Sequence, residues 1–360
     1  IPCCQQRGSC GGVDQAMTKS RRLLAVLLAI LLVTGLLSGC GGSPASNQQQ
    51  PKKLTLYCGL MEDHMVKAIQ EFEKDTGIKV EAVRMSSGEI LGRIKAEKNN
   101  PKASVWFGGP ADGFVQAKQD GMLEKYTSPN AAKIPAQFKD AEGYWTGIYV
   151  GYLGFVSNQK LLAEKGVAAP KSWQDLLKPE FKGQVVVANP GSSGTAYTML
   201  ATVVQIMGEE QGLAYMKQLN GQVKTYPKSG TAPGRMVGQG EAMVGMTFLH
   251  DAIKYREEGM KDLALTAPAE GTGYEIGSVA LIKGGPDQEA AKKFIDWALS
   301  KKGQELGQQV GSYQFLTNPE AQPPKQAAEI KDTKLIKYDL DWAGNNRTAL
   351  VEKWNNAVKQ

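Results

Sequence analysis

TGIYVGYLGFVSN, residues Thr146 to Asn158, is long, extended and punctuated by glycine. A second extended run, YEIGSVALIKGG from Tyr274 to Gly285, follows the Gly/Thr-rich AEGTG. Segments of this kind suit chain crossings between two lobes, with Gly147, Gly151, Gly273 and Gly277 absorbing backbone rotation. Two ordinary strands are the plain alternative.

Outward from the crossings, one grammar repeats. KLTLY (Lys53 to Tyr57) reads as a strand, Cys58-Gly59 as a loop, and the next segment as a helix with Met61, Met65, Ile69 and Phe72 three to four residues apart. The same order returns in SVWFGG into PADGFVQAKQ (Ser104 to Gln119), VVVANPGSSG into TAYTMLATVVQIM (Val185 to Met207) and AMVGMTF into LHDAIKYREEG (Ala242 to Gly259). IKVEAVRM (Ile78 to Met85) adds a strand and EILGRIKAEK a helix. Alternating strands and helices predict an α/β fold with parallel sheets covered on both faces.

The chain has 360 residues, 42% hydrophobic and 22% charged, enough for a large core and more than one compact domain. That excludes disorder for most of it. Of the net charge of +6, Arg7, Lys19, Arg21 and Arg22 against Asp14 place +3 in the first 40 residues, so the remainder is only mildly basic and implies no nucleic-acid partner. Cys3, Cys4 and Cys10 precede Met17, Cys40 ends an apolar run and Cys58 stands alone, which leaves no intrachain disulfide framework.

LLAVLLAILLVTGLL, Leu23 to Leu37, follows Lys19, Arg21 and Arg22. Its fifteen residues fall short of the roughly 20 that span a bilayer as a helix, and the charged flank fits an export signal. Leu37-Ser38-Gly39-Cys40 resembles the lipobox of bacterial lipoproteins. The expected organisation is a non-native upstream extension at 1–16, a lipoprotein signal peptide at 17–39, and a lipidated Cys40 with a polar tether at 40–52. The protein would then be anchored by lipid to the outer face of the cell membrane.

The order of KLTLYCG, EFEKDTGIKVE, SSGEILGRIKAE, ASVWFGGPADGF, GYLGFVSN, PKSWQDLLKPEFKGQVVVANPGSSGTAY and EIGSVALIKGGPDQEAAKKFIDWALSKKGQE, from Lys53 to about Pro319, resembles bacterial ABC-transporter solute-binding proteins of the ferric-ion-binding type. The resemblance implies a two-lobed periplasmic-binding-protein fold, each lobe a central mixed, mostly parallel sheet flanked by helices, with a ligand cleft between. Lobe one would be 53–147 plus 276–319 and lobe two 148–275. Residues 320–360 read as a helical tail, because Leu350, Trp354 and Val358 sit four apart on one face. The tail is expected to pack on a lobe, with a partner-binding helix as the alternative.

Ligands of open α/β sheets lie outside the carboxyl ends of the strands, and the loops there are small and polar. Asn189-Pro190-Gly191-Ser192-Ser193-Gly194-Thr195 precedes a helix and offers hydroxyls and free N–H groups at the positive end of a dipole. Ser86-Ser87-Gly88 and Gly108-Gly109 do likewise in the other lobe, and Ser229-Gly230-Thr231 lies in a loop with Lys224 and Lys228. Plain N-capping is the competing role for each.

The ferric subgroup holds iron with paired tyrosines and a histidine just after the first strand. Here the tyrosine positions read Thr247-Phe248-Leu249, and the histidine position falls near Leu60-Met61. His64 is expected on an exposed helix face. His250-Asp251 with Glu275 instead resembles the set in hexose-phosphate-binding relatives, where carboxylates and a neutral imidazole exchange hydrogen bonds with sugar hydroxyls.

The expected function is a non-enzymatic, monomeric receptor. It would deliver a small anionic solute, a sugar phosphate, to an ABC transporter permease, with no cofactor and no metal. A phosphonate, ferric ion with a synergistic anion, a polyamine and an exported hydrolase are the alternatives. The hydrolase lacks a G-x-S-x-G or H-E-x-x-H signature.

Overall fold

A computed structural model describes residues 53–358. The leader, Cys40 and the tether lie outside the described residues. In chain order lobe one opens with β1 (Lys53–Cys58), α1 (Glu62–Thr76), β2 (Lys79–Arg84), α2 (Ser87–Ala96), β3 (Val105–Pro110), α3 (Ala111–Gln119) and β4 (Leu123–Glu124). Next come β5 (Thr146–Asn158), α4 (Gln159–Lys165), β6 (Val185–Val186), α5 (Gly194–Met207), α6 (Glu209–Asn220), β7 (Val223–Thr225), α7 (Ala232–Gly238), β8 (Val244–Phe248), α8 (Leu249–Glu257) and β9 (Leu263–Thr266). The chain ends with β10 (Tyr274–Ile282), α9 (Gln288–Ala298), α10 (Lys301–Glu305), β11 (Phe315–Leu316), α11 (Leu340–Asn345) and α12 (Arg347–Val358).

The strands run in the order β2-β1-β3-β10-β5-β8-β6-β7. One strand serves both lobes. Thr146 to Tyr152 of β5 pairs with β10, and Leu153 to Asn158 pairs with β8 and β9. Each lobe keeps three parallel strands, β2-β1-β3 and β7-β6-β8. The parallel share is smaller than the sequence suggested. The parallel strands end at the cleft, whereas a strand arriving through the cleft must run away from it, so β10 is antiparallel to β3 and β5 to β8.

Helices cover both faces of lobe one because their apolar stripes match the pleat. Phe72 of α1 and Phe294 of α9 meet edge to face at 5.0 Å on one side, and Phe114 of α3 stacks on Trp106 at 3.9 Å on the other. In lobe two, α5 is apolar nearly all round and correspondingly buried along most of its length. The tail sends Leu350 and Trp354 into that same core, as their spacing predicted. Its helices begin only at Leu340; before them Lys325–Ile330 is a 3₁₀ turn, and Leu335 bridges Thr272.

His64 corrects the expectation of an exposed face. It is buried, its Nδ1 is 3.0 Å from Ser312 Oγ, and burial, helped by Lys254, lowers its pKa to about 4. The reason is tertiary: residues Leu306–Val310 pack on α1 and cover the side that periodicity assigned to water.

Candidate functional site

The lobes touch across the cleft. Gly88 N–H of α2 donates to Ser192 O of the opposite lobe at 2.9 Å, so the lobes are closed on each other, and residues of both line a single pocket.

Three helix N-termini meet there. Ser87 begins α2, and the Ser86 N–H is held by Glu89 at 3.2 Å. Gly109 and Pro110 lead into α3, and Ser193-Gly194-Thr195 opens α5, with Ser193 Oγ accepting from Ala196 N–H at 3.2 Å. Gly109 has φ of +101°, and a Cβ there would lie 2.1 Å from Ser87 Oγ. Only glycine lets two loops of lobe one approach so closely. Each N-terminus carries about half a positive charge, and their free N–H groups and hydroxyls suit an anion.

The opposite wall is ionisable and buried. β8 runs directly into α8, which puts His250 and Asp251 in the first helical turn at the cleft end of the strand. Glu275 lies on β10 opposite Gly151 of β5. A Cβ on Gly151 would sit 2.4 Å from His250 Cε1 and 2.9 Å from Glu275 Oε1, so that glycine makes room for both. His250 Nε2 is 3.4 Å from Asp251 Oδ1 and 3.8 Å from Glu275 Oε1, its ring stacks on Phe248, and its buried Nδ1 has no hydrogen-bond partner among the described residues. Tyr149 O–H donates to Glu275 Oε2 at 3.4 Å and lies the same distance from Gly109 N–H.

Burial sets the protonation states. It lowers the His250 pKa to about 3, so the imidazole is neutral. It raises Asp251 to about 7 against the pull of Arg84, Lys254 and Thr247, and it holds Glu275 well above the usual carboxylate range, with repulsion from Asp251 adding. Neutral imidazole and carboxyl groups both donate and accept, the pattern that hydroxyls match.

Of the residues singled out from sequence, Ser86, Ser87, Gly109, Ser193, Gly194, Thr195, Thr231, His250, Asp251 and Glu275 line this one pocket. Ser192 and Ser229 do not. Ser192 Oγ donates to Lys228 O at 3.0 Å, tying two loops together, and Ser229 Oγ pairs with Thr231 Oγ1 in an outer recess. Sequence reasoning missed Arg84, Tyr149 and Gln314, which also line the pocket. Arg84 ends a strand just ahead of a capping loop, so the rule that ligands gather at carboxyl ends of strands points at it. Tyr149 carried no signal within its apolar run. Among the described residues no group of three or more His, Cys, Asp or Glu is placed to hold a metal ion.

The pattern of bacterial extracellular solute-binding proteins matches residues 111–345. The chain is similar to the periplasmic binding protein AfuA from Actinobacillus pleuropneumoniae, solved with exogenous fructose 6-phosphate bound, at 40% identity and a TM-score of 0.83 over 86% of this chain and 99% of that one. It is also similar to the periplasmic binding protein P5PA, at 36% identity and a TM-score of 0.82 over 85% and 99% of the two chains. A putative 2-aminoethylphosphonate-binding periplasmic protein of Salmonella typhimurium is 31% identical over 245 residues, 65% of this chain and 68% of that protein. By fold, cleft and sequence alike, this chain belongs to the bacterial extracellular solute-binding protein family.

Proposed function

We propose that the protein captures a sugar phosphate outside the cytoplasm and hands it to an ABC importer permease, with no chemistry of its own. One observation carries the reading: helix N-termini from both lobes and the buried set of His250, Asp251 and Glu275 share one closed pocket. The phosphate belongs on Ser87, Gly109 and Ser193 to Thr195. The sugar hydroxyls belong on the carboxyls and on His250 Nδ1, a buried polar atom without a partner among the described residues. Fructose 6-phosphate bound in the similar protein AfuA supports a sugar phosphate as the ligand. A phosphonate is the second reading, favoured by the Salmonella relative. It would use the same loops and set its ammonium, in place of sugar hydroxyls, against Asp251 and Glu275.

Calorimetry separates the two. Asp251→Ala and Glu275→Ala should each weaken a hexose phosphate by about 1 to 3 kcal/mol, the cost of leaving buried hydroxyls without partners. Inorganic phosphate, which has no group for that wall, should change much less. Equal losses for the sugar phosphate and inorganic phosphate, or a wild type that takes only 2-aminoethylphosphonate, would defeat the sugar reading.

The sequence Leu37-Ser38-Gly39-Cys40 supports attachment to the membrane by lipid on Cys40. Two acyl chains give the stable anchoring that one cannot. Cys40→Ala should abolish fatty-acid labelling of a protein that is still exported. Wild-type protein that takes up no label would reject the anchor.

A further inference from the structure

The three N-termini in the cleft are neutral groups with partial charge, and they bind any tetrahedral oxyanion. A phosphate monoester at neutral pH carries nearly two negative charges, and a full cation rewards the second charge more than neutral dipoles do. Among the described residues Arg84 is the only cationic side chain lining the pocket. It sits at the end of β2, two residues before Ser86 and three before Ser87, on the same strand and loop as one of the anion-binding N-termini.

Its hydrogen bonding is incomplete. Arg84 Nε donates to Leu60 O at 3.1 Å, which fixes the plane of the fork, and the guanidinium makes no other hydrogen bond among the described residues. The neighbouring cations are committed elsewhere. Lys254 is engaged by Asp63 at 3.2 Å, Glu258 at 2.8 Å and Val310 O at 2.9 Å, and the Arg235 guanidinium lies over the Tyr255 ring at 5.5 Å. A tethered guanidinium with unused donors beside an anion-binding loop is built for bidentate recognition of phosphate.

We infer that Arg84 is the specificity-determining residue that reads the second negative charge of the ligand. It would make the receptor select phosphate monoesters over singly charged esters of the same sugar. The inference rests on the sugar-phosphate reading and extends it from the shape of the ligand to its charge.

The test compares fructose 6-phosphate with fructose 6-sulfate, which has the same tetrahedral head and one charge fewer, by calorimetry at pH 7.5 and fixed ionic strength. Wild type should prefer the phosphate by at least about tenfold, a difference of about 1.4 kcal/mol. Arg84→Gln should lose phosphate affinity and bring the two esters within about threefold. Arg84→Lys, which keeps the charge but not the fork, should fall between. An unchanged melting temperature in both variants shows that the strand end is intact. If Arg84→Gln keeps the wild-type ratio, Arg84 serves only as a counter-charge to Asp251 and the inference is overturned while the sugar-phosphate reading stands. If wild type binds neither ester, both fall together.

Discussion

Arg347→Met should lower the free energy of unfolding by about 3 to 5 kcal/mol, the range for removing one partner of a buried ion pair. Arg347 Nη1 donates to Asp112 Oδ1 at 2.6 Å, with the two side chains 4% and 2% exposed. The guanidinium lies 4.2 Å from the centroid of the Tyr197 ring, and Tyr197 O–H donates to Ala343 O. Asp112 belongs to α3 of lobe one, Tyr197 to α5 of lobe two, and Arg347 to the tail. The tail therefore ties the two lobes together one helical turn behind the anion-binding loops. Gln116 of α3 adds a hydrogen bond to the Thr348 hydroxyl.

The deficit depends on pH, and its sign follows from Asp112. Burial outweighs the pull of Arg347 and raises the carboxyl to about 6, above its usual value of about 3.9 in an unfolded chain. Between those values the unfolded state has lost a proton that the folded state keeps, so wild-type stability from this group falls as pH rises from about 4 to 6 and is flat above. Without Arg347 the folded pKa climbs further and the fall continues to higher pH. The gap between variant and wild type should be wider at pH 8 than at pH 5, measured by denaturant titration. Adding Asp112→Asn should recover part of the loss at pH 8, because an amide has no charge to desolvate. A variant equal to wild type at pH 8 would mean that the pair stabilises nothing.

The local grammar was legible because strands and helices write their periods directly into the sequence. Lys53 to Phe72 reads as strand, loop and helix and folds as β1 and α1. The buried faces of Leu350 and Trp354 were visible for the same reason. The grouping of His250, Asp251 and Glu275 came from the resemblance to hexose-phosphate-binding relatives, and the three do line one pocket. What stayed hidden depends on contacts between segments far apart in sequence. His64 is buried by residues some 240 positions away. Ser192 holds the Lys228 loop, while its neighbour Ser193 faces the pocket, and sequence position cannot tell those two hydroxyls apart. Arg347 and Asp112 meet across 235 positions, and no local pattern announces a buried ion pair.

Gly88→Ala should leave the protein folded and yet reduce affinity for fructose 6-phosphate by roughly 1,000-fold, about 4 kcal/mol. Gly88 lies in α2, so alanine there favours the helix by about 0.5 to 1 kcal/mol. Closure is another matter. A Cβ at Gly88 would stand 2.3 Å from Gly191 O and 2.7 Å from Ser192 O, both backbone atoms of the opposite lobe. Backbone oxygens cannot swing aside as a side chain can, so the lobes must stay apart. The ligand then keeps contacts from only one wall and loses several hydrogen bonds of about 1 kcal/mol or more each. Affinity also falls in proportion to the fraction of molecules that can close. Gly92 supplies the control, since it sits one turn along the same helix with nothing within 4 Å of a Cβ. Gly92→Ala should gain the same helix stability and bind as wild type. Small-angle scattering completes the test: saturating ligand should compact wild type and Gly92→Ala but not Gly88→Ala. If Gly88→Ala compacts and binds normally, the contact between Gly88 and Ser192 is not part of the ligand-bound state, and the closed cleft described here is not the one that holds the solute.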